Sequence, residues 1–446
     1  MGSVLRRRSV VVVGAGLAGL AAARDLEQND ARVTVVEARD RVGGRVHTIR
    51  GVFRAGQHAE AGADLIEAEQ THVLQLASAM GLQLVRILRK GFAYYGPDDT
   101  GRLKVWRGSG TWTEVARKLS SEIALYKAAS GRWDSGVAAA IGRTSVADWL
   151  RRINAGQGFA TGVRAMRGFF LADPEDLSLL ALVDQFSAGD TPGQGKLFRI
   201  RGGNDRLPTK VAAALRGRVL LRSHLRRVRQ SDGRVTLTIE RRGRQSEIRS
   251  DYAVIAIPAT TLRDIEFIPG LPEHQQTAIR TLRYGPATRV LLQFERPFWR
   301  RTQRHRAFGT SLPIGAAWDA SEHQHGTPGI LMLLAGGRAS AECREILGRE
   351  GAEGVTRRLA WLGVSSPLTA MWHTSWEDDP LAGGGYAVFS PDFDPSLRDW
   401  LRRPAGRVTF AGEHTSINSE GYMDGAIESG LRAAAEIKAL AMVNGE

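Results

Sequence analysis

At 446 residues, 43% of them hydrophobic, the chain is long enough for two domains, each with a sizeable core. A net charge of +14 raises an anionic polymer as a partner, but the arginines are scattered in pairs such as Arg226-Arg227, Arg241-Arg242, Arg300-Arg301, Arg357-Arg358 and Arg402-Arg403. Without zinc-finger spacing or basic heptads, that pattern is an arginine-rich solvated surface, and specific nucleic-acid recognition is not expected. Cys343 is the only cysteine, which excludes an intramolecular disulfide and a cysteine-type metal site. No stretch approaches the roughly 20 apolar residues of a membrane span, so a cytoplasmic protein without membrane contact is expected.

The first element is Ser9-Val10-Val11-Val12-Val13, an apolar β-branched run of the kind buried on both faces of a parallel sheet. Arg6-Arg7-Arg8 reads as the edge of this strand and not as a leader, because the run passes directly into Gly14-Ala15-Gly16-Leu17-Ala18-Gly19. A small-residue helix follows through Leu20, Ala21, Ala22, Ala23 and Leu26. Gly14 permits the tight turn, Gly16 lets the backbone approach a pyrophosphate, and Gly19 lets helix and strand pack closely, so phosphates can sit at the positive end of the helix. A second strand, Val33-Thr34-Val35-Val36, ends at Glu37, about 20 residues past the glycines, where a dinucleotide site needs an acceptor for ribose hydroxyls.

A helix is expected from about Gln70 to Met80, and the region from Gly81 to about Arg199 reads as helices and loops with little alternation, including Val146 to Leu150 after a Ser/Thr start signal. Next come a glycine turn at Arg201-Gly202-Gly203-Asn204, a helix from Thr209 to Leu215, and strands Arg218 to Leu221, Val235 to Ile239 and Tyr252 to Ile257. Thr288 to Phe294, Ile330 to Leu334 and Thr369 to Trp372 read as strands of one further sheet. Gly406 to Phe410 supplies the last strand, and a long terminal helix opens near Gly421. His305, His323 and His325 sit in polar, loop-like sequence with no metal spacing, so no metal site is expected.

Three stretches narrow the dinucleotide to one class. Ala38-Arg39-Asp40-Arg41-Val42-Gly43-Gly44-Arg45 continues from Glu37; Trp376-Glu377-Asp378-Asp379-Pro380 is followed by Gly383-Gly384-Gly385-Tyr386; and Gly412-Glu413 leads to Gly421-Tyr422-Met423-Asp424-Gly425-Ala426. Together they closely resemble the motifs of the flavin amine oxidase superfamily, with the match weakest between 81 and 199. The resemblance implies an α/β fold with a Rossmann-type FAD-binding domain, formed by 1–80, 200–270 and 385–446. A discontinuous α+β substrate-binding domain would be formed by 81–199 and 271–384.

By the same resemblance FAD is wrapped by Ala38, Arg39, Gly44 and Arg45, passed by Gly62 and Ala63 within Ala59-Glu60-Ala61-Gly62-Ala63-Asp64, and met at its adenine end by Leu225. Gly412, Glu413, Gly421, Tyr422 and Met423 complete that set, the terminal helix directing its positive end at the flavin. Tyr386 and Tyr422 fall where related oxidases have an aromatic cage that holds the substrate nitrogen between two ring faces. Trp376 is expected to pack on the flavin. The implied reaction is oxidation of a primary or secondary amine to the imine by hydride transfer to flavin N5, followed by imine hydrolysis and reoxidation by O2 to give H2O2.

Two departures from the pattern matter. Gly385 stands where the membrane-bound members have a cysteine that bonds to FAD, so FAD is expected to be non-covalent. Arg289 stands where most members have a lysine tied to oxygen reactivity; arginine keeps the charge but orients water differently. An amine dehydrogenase with another acceptor therefore stays open. So does an L-amino-acid oxidase or oxidative decarboxylase: Asp64, Leu65 and Ile66 stand where an amino-acid oxidase places its carboxylate-binding arginine, leaving Arg164, Arg167 and Arg283 as clamp candidates. A homodimer is compatible with the sequence.

Overall fold

In a computed structural model, which describes residues 5–97, 100, 102–106, 110–187, 195–302 and 306–443, two sheets dominate the protein. The first is a five-stranded parallel sheet of Ser9–Val13, Arg32–Val36, Arg218–Leu220, Tyr252–Ile255 and Val408–Phe410. Numbered by sequence, its strands lie in the spatial order 3-2-1-4-5, that of a doubly wound dinucleotide-binding sheet. Val10 to Val13 are buried between Val33 to Val36 on one side and Tyr252 to Ile255 on the other, which is why this run is apolar throughout.

Helix Leu17–Gln28 covers one face and is crossed by the terminal helix Met423–Val443. The crossing is close enough that a Cβ on Gly430 would lie 2.1 Å from the Ala18 carbonyl oxygen. A four-stranded sheet of His224–Ser231, Arg234–Arg241, Arg244–Ser250 and Glu266–Ile268 stands beside the parallel sheet. No helix among the described residues is long and apolar enough to cross a membrane.

The second major sheet has seven strands, in the order Leu368–Ser375, Ala287–Phe294, Gly329–Gly336, Ala316–Asp319, Ala307–Thr310, Ala93–Pro97 and Leu103–Trp106. It joins the three expected strands in one sheet, with Arg289 paired opposite Leu334 and Thr374. Every residue of Ala287–Phe294 and Gly329–Gly336 is buried.

The region 81–199 departs from its expectation of helices and loops. It contains strands Leu84–Ile87, Ala93–Pro97, Leu103–Trp106 and most of Leu197–Ile200. Leu84–Ile87 pairs with the distant Leu197–Ile200, while Ala93–Pro97 pairs locally with Leu103–Trp106 and on its other side with the distant Ala307–Thr310. Where the pairing is remote, strand formation depends on neighbours that the local sequence does not show. The start signal near 146 holds, as Ser145 and Asp148 form a reciprocal capping box ahead of Val146–Arg152.

Candidate functional site

The glycine cradle at the end of Ser9–Val13 is built by close backbone approach. Gly14 has φ +101°, and its N–H donates to the Val36 carbonyl at 2.7 Å. A Cβ on Gly19 would lie 1.9 Å from the Gly14 carbonyl oxygen, whereas a Cβ on Gly16 would meet nothing within 4 Å. The space in front of Gly16 is therefore open, and the start of Leu17–Gln28 points its free N–H groups toward it.

Glu37 is buried beside that space, its two oxygens accepting the N–H groups of Ala15 (2.7 Å) and Arg39 (2.8 Å). Each oxygen keeps a further lone pair for a hydroxyl. An open, glycine-walled cradle ending in a buried carboxylate fits the phosphates and ribose of a dinucleotide.

A cavity of about 1240 Å³ runs from the cradle into the face of the seven-stranded sheet. Gly14, Gly16, Leu17, Ala18, Glu37, Ala38, Arg39, Gly44, Arg45 and Leu225 line one part of it. Gly62, Ala63, Arg289, Trp376, Tyr386, Gly412, Glu413, Gly421, Tyr422 and Met423 line the rest. Of the site residues expected from sequence, only Gly19 is absent from the lining, because it packs behind the cradle.

Several contacts hold this lining. Arg45 Nη1 donates to the Gly385 carbonyl (2.8 Å) and to Glu413 Oε1 (2.9 Å), and Glu413 Oε2 accepts the Gly421 N–H at 3.1 Å. Arg39 pairs with Asp379 at 2.8 Å. A Cβ on Gly62 would lie 1.7 Å from the Arg45 carbonyl oxygen and 3.1 Å from Trp376 Cζ2, while Trp376 Nε1 donates to the Ala61 carbonyl at 2.9 Å.

The two tyrosines come from different elements and share one wall. Tyr386 follows the triple glycine, and its hydroxyl donates to the Phe169 carbonyl. Burial pushes that phenol well above its ordinary pKa, so it stays neutral. Gly421, at φ +80°, passes so close to the Tyr386 ring that its Cβ would lie 3.3 Å from Cδ2, and Tyr422 follows at the start of the terminal helix. Gly385 offers no thiol, and a Cβ there would meet Leu171 Cδ1 at 2.4 Å and Ala287 Cβ at 2.9 Å.

Arg289 projects from the centre of Ala287–Phe294 into the cavity. Nη1 donates to the Glu60 carbonyl at 3.2 Å and lies 3.8 Å from Asp64 Oδ2, and the guanidinium is 5.6 Å from the Trp318 ring centroid. Burial lowers its pKa, with Asp64 and Glu60 acting the other way; an arginine nevertheless stays charged.

The weakly matched region supplies lining that sequence reading did not single out. Phe92, Trp112, Phe169 and Phe170, with Trp318, form an aromatic wall; Phe92 and Phe169 meet edge to face at 5.0 Å, and Trp112 lies 5.7 Å from Phe170. The Phe169-Phe170 pair was the one signal available. Also missed was Arg398, which lines the cavity stacked 4.0 Å over Trp133 and bonded to Asp184 (3.0 Å) and Glu420 (3.4 Å). Burial holds the Glu420 carboxyl well above its ordinary pKa, Arg398 opposing the shift.

The clamp candidates lie elsewhere. Arg164 bonds Glu175 (2.9 Å), Arg167 bonds Asp173 (3.2 Å), Arg283 bonds Asp392 (2.8 Å), and none lines the cavity. They serve carboxylates of the protein itself. His323 and His325 are not part of the cavity lining, and His305 lies outside the described residues.

A family model described as flavin-containing amine oxidoreductase matches residues 17–438. The chain belongs to the flavin-containing amine oxidoreductases. These are oxidoreductases that act on amines with a flavin cofactor, and the cradle and cavity fit that cofactor. Among members of the family, the chain is 30% identical to a Mycobacterium tuberculosis protein that bears the name flavin-containing monoamine oxidase AofH, over 97% of this chain and 96% of that one. It is 28% identical to a Bacillus subtilis protein that bears the name L-amino-acid oxidase YobN, over 97% and 95% respectively. Among solved structures, cyclohexylamine oxidase from Brevibacterium oxydans superposes with a TM-score of 0.83 at 25% identity, covering 99% of this chain and all of that one.

Proposed function

We propose that this amine oxidoreductase binds FAD non-covalently and oxidises a primary or secondary amine to the imine, which water then hydrolyses. The observation that carries this reading is that Tyr386, against whose ring Gly421 packs, and Tyr422 line one cavity with the glycine cradle. Bound there, flavin would supply the two-electron acceptor, and O2 would serve as the terminal oxidant with H2O2 as its product. The FAD-binding domain comprises 1–80, 200–270 and 385–446, and the substrate domain 81–199 and 271–384.

The roles of the side chains follow from their placement. Gly14, Gly16 and Gly19 shape the phosphate site, Glu37 takes the ribose hydroxyls, and the helix start at Met423 favours the negative charge that accompanies reduction. The tyrosine rings hold a deprotonated amine by their π faces, an interaction worth about 0.5–2 kcal/mol for a cation and geometric for a neutral amine. Phe169, Phe170 and Trp112 exclude water from the substrate's carbon skeleton.

Arg289 supports a second reading of the oxidative half-reaction, in which an acceptor other than O2 is used. The amino-acid alternative is less favoured, because Arg398 is already bonded to Asp184 and Glu420.

The test is the visible spectrum of the purified protein, followed by anaerobic titration with a panel of amines and matched amino acids. A yellow protein bleached by amines is expected. Tyr422→Ala and Tyr386→Ala should each slow bleaching by about tenfold or more, as expected when a positioning wall is lost. A colourless protein that FAD cannot reconstitute sinks the reading, and bleaching by amino acids alone replaces it with the oxidase of those substrates. Fast bleaching with slow recovery in air selects the dehydrogenase.

A further inference from the structure

Four ionisable side chains are buried together at the cavity wall, each less than 9% exposed: Asp64 and Arg289 line the cavity, with Glu60 and Arg199 behind them. They are not held equally. Arg199 grips Asp64 with Nε and with Nη2 (3.1 Å), and its Nη1 donates to the carbonyls of Asp319 and Ala320, both at 3.2 Å. Among the described residues, Arg289 makes one hydrogen bond, from Nη1 to the Glu60 carbonyl at 3.2 Å, and its buried Nε has no partner.

Asp64 is the only carboxylate within 4.0 Å of Arg289 among the described residues. Its Oδ2 also accepts Trp318 Nε1 at 2.6 Å, which fixes the carboxylate next to the indole that Arg289 overlies. Glu60 cannot share that task at neutral pH. Burial, with Asp64 beside it, pushes its carboxyl up to about 8, against hydrogen bonds from Asn204 and Thr48 and the Arg199 charge. The remaining cation near Glu60, Arg50, is engaged with Asp205. A buried guanidinium needs a counter-charge, and here one carboxylate serves two arginines.

We propose that Asp64 is a positioning residue: by balancing Arg199 against Arg289 it pins the Arg289 guanidinium at the cavity wall, and the redox equilibrium of the bound flavin depends on it through Arg289. This rests on the proposed flavin site. Without Asp64 the two arginines repel each other. Arg199 is anchored by two carbonyls, so Arg289 is the one that moves and its positive charge leaves the wall.

The sign of the effect separates this from a simple field effect. Removing a negative charge next to a flavin would favour the reduced form. Losing Arg289 from the wall favours the oxidised form.

The experiment is redox titration of the flavin-loaded protein, with thermal melting as a check on folding. Arg289→Gln and Asp64→Asn should both shift the equilibrium toward oxidised flavin by about tenfold, which is about 30 mV for a two-electron couple. Asp64→Asn added to Arg289→Gln should give no further shift in that direction, and Asp64→Glu should stay within about threefold of the parent. A shift toward reduced flavin in Asp64→Asn, or none, overturns the inference.

Should Asp64→Asn fail to fold, the double variant Asp64→Asn/Arg199→Met removes both partners of the ion pair. Arg289 still lacks a carboxylate within 4.0 Å there among the described residues, so a shift toward oxidised flavin is expected, smaller for want of the Arg199 repulsion, and no shift also overturns the inference. A parent protein that takes up no flavin would fail the proposed function instead, before any variant is compared.

Discussion

Gly16 and Gly19 lie three residues apart in the cradle, yet adding a methyl group to each should have different consequences. At Gly16 the added Cβ meets no protein atom within 4 Å, so Gly16→Ala should leave the melting temperature of the flavin-free protein within about 2 °C of the parent while weakening flavin uptake about tenfold or more. At Gly19 the same methyl would collide with the Gly14 carbonyl oxygen at 1.9 Å, so Gly19→Ala should lower both. Melting scans with and without added FAD separate the two. Equal behaviour would mean that the open space at Gly16 is not where phosphates sit.

At this scale the site was largely legible, because the roles of these residues depend on local spacing. The glycines, Glu37 and the paired tyrosines carry their meaning in short motifs, and all but Gly19 reach the cavity wall. Arg398 was not legible, because nothing in its neighbourhood distinguishes it from the many surface arginines. Only folding sets it on Trp133 between Asp184 and Glu420.

Among the elements, the seven-stranded sheet depends on a polar joint. Asp319, fully buried at the end of Ala316–Asp319, accepts from Trp299 Nε1 (3.0 Å), from Arg300 through Nε (2.6 Å) and Nη2 (3.0 Å), and from the Ser321 N–H (3.0 Å). It ties the short helix after Ala287–Phe294 to Ala316–Asp319, which is two strands away in the sheet. Asp319→Asn leaves the Arg300 charge uncompensated and should cost about 3–5 kcal/mol in chemical denaturation, whereas the parallel nucleotide-binding sheet, which it does not touch, should still take up FAD while folded. A loss below about 1 kcal/mol would show that the joint is dispensable.

Element legibility followed the same division between local and distant. Apolar runs such as Val10 to Val13 and Val290 to Leu292 announce strands by themselves. Ala93–Pro97, with a glycine and a proline among its five residues, is a strand by virtue of its neighbours, Leu103–Trp106 on one side and the distant Ala307–Thr310 on the other.

For the whole molecule, stability should peak near pH 6.5. His47, His58 and His414 are pushed down to about 4, in each case by burial first, His47 also by Arg41, His58 by Arg50, and His414 by Arg45 against Glu413. They stay neutral in the folded state while the unfolded chain takes up protons near 6.5, so stability is lost as pH falls from about 6.5 to about 4. For His414, 3% exposed, the loss amounts to about 3 kcal/mol at most. Glu60 works in reverse: with its folded value raised to about 8, its contribution is full below about 4.5 and is lost as pH rises to about 8. Melting temperature against pH should therefore decline on both sides, and His414→Gln should flatten the acid limb. An unchanged acid limb in that variant would contradict the assignment.

The parallel sheet takes its central strand from Ser9–Val13 and its outer strand from Val408–Phe410, and the helix that closes over the cradle ends at Val443. On a ribosome adding about 5–20 residues per second, the glycine cradle is made roughly 20–80 s before the strand and helix that complete its surroundings. For that interval the four valines can pair with Arg32–Val36 and later Tyr252–Ile255, but the sheet stays open at the edge that Val408–Phe410 will fill. Cofactor capture thus waits on a strand and a helix made long after the glycines that begin it.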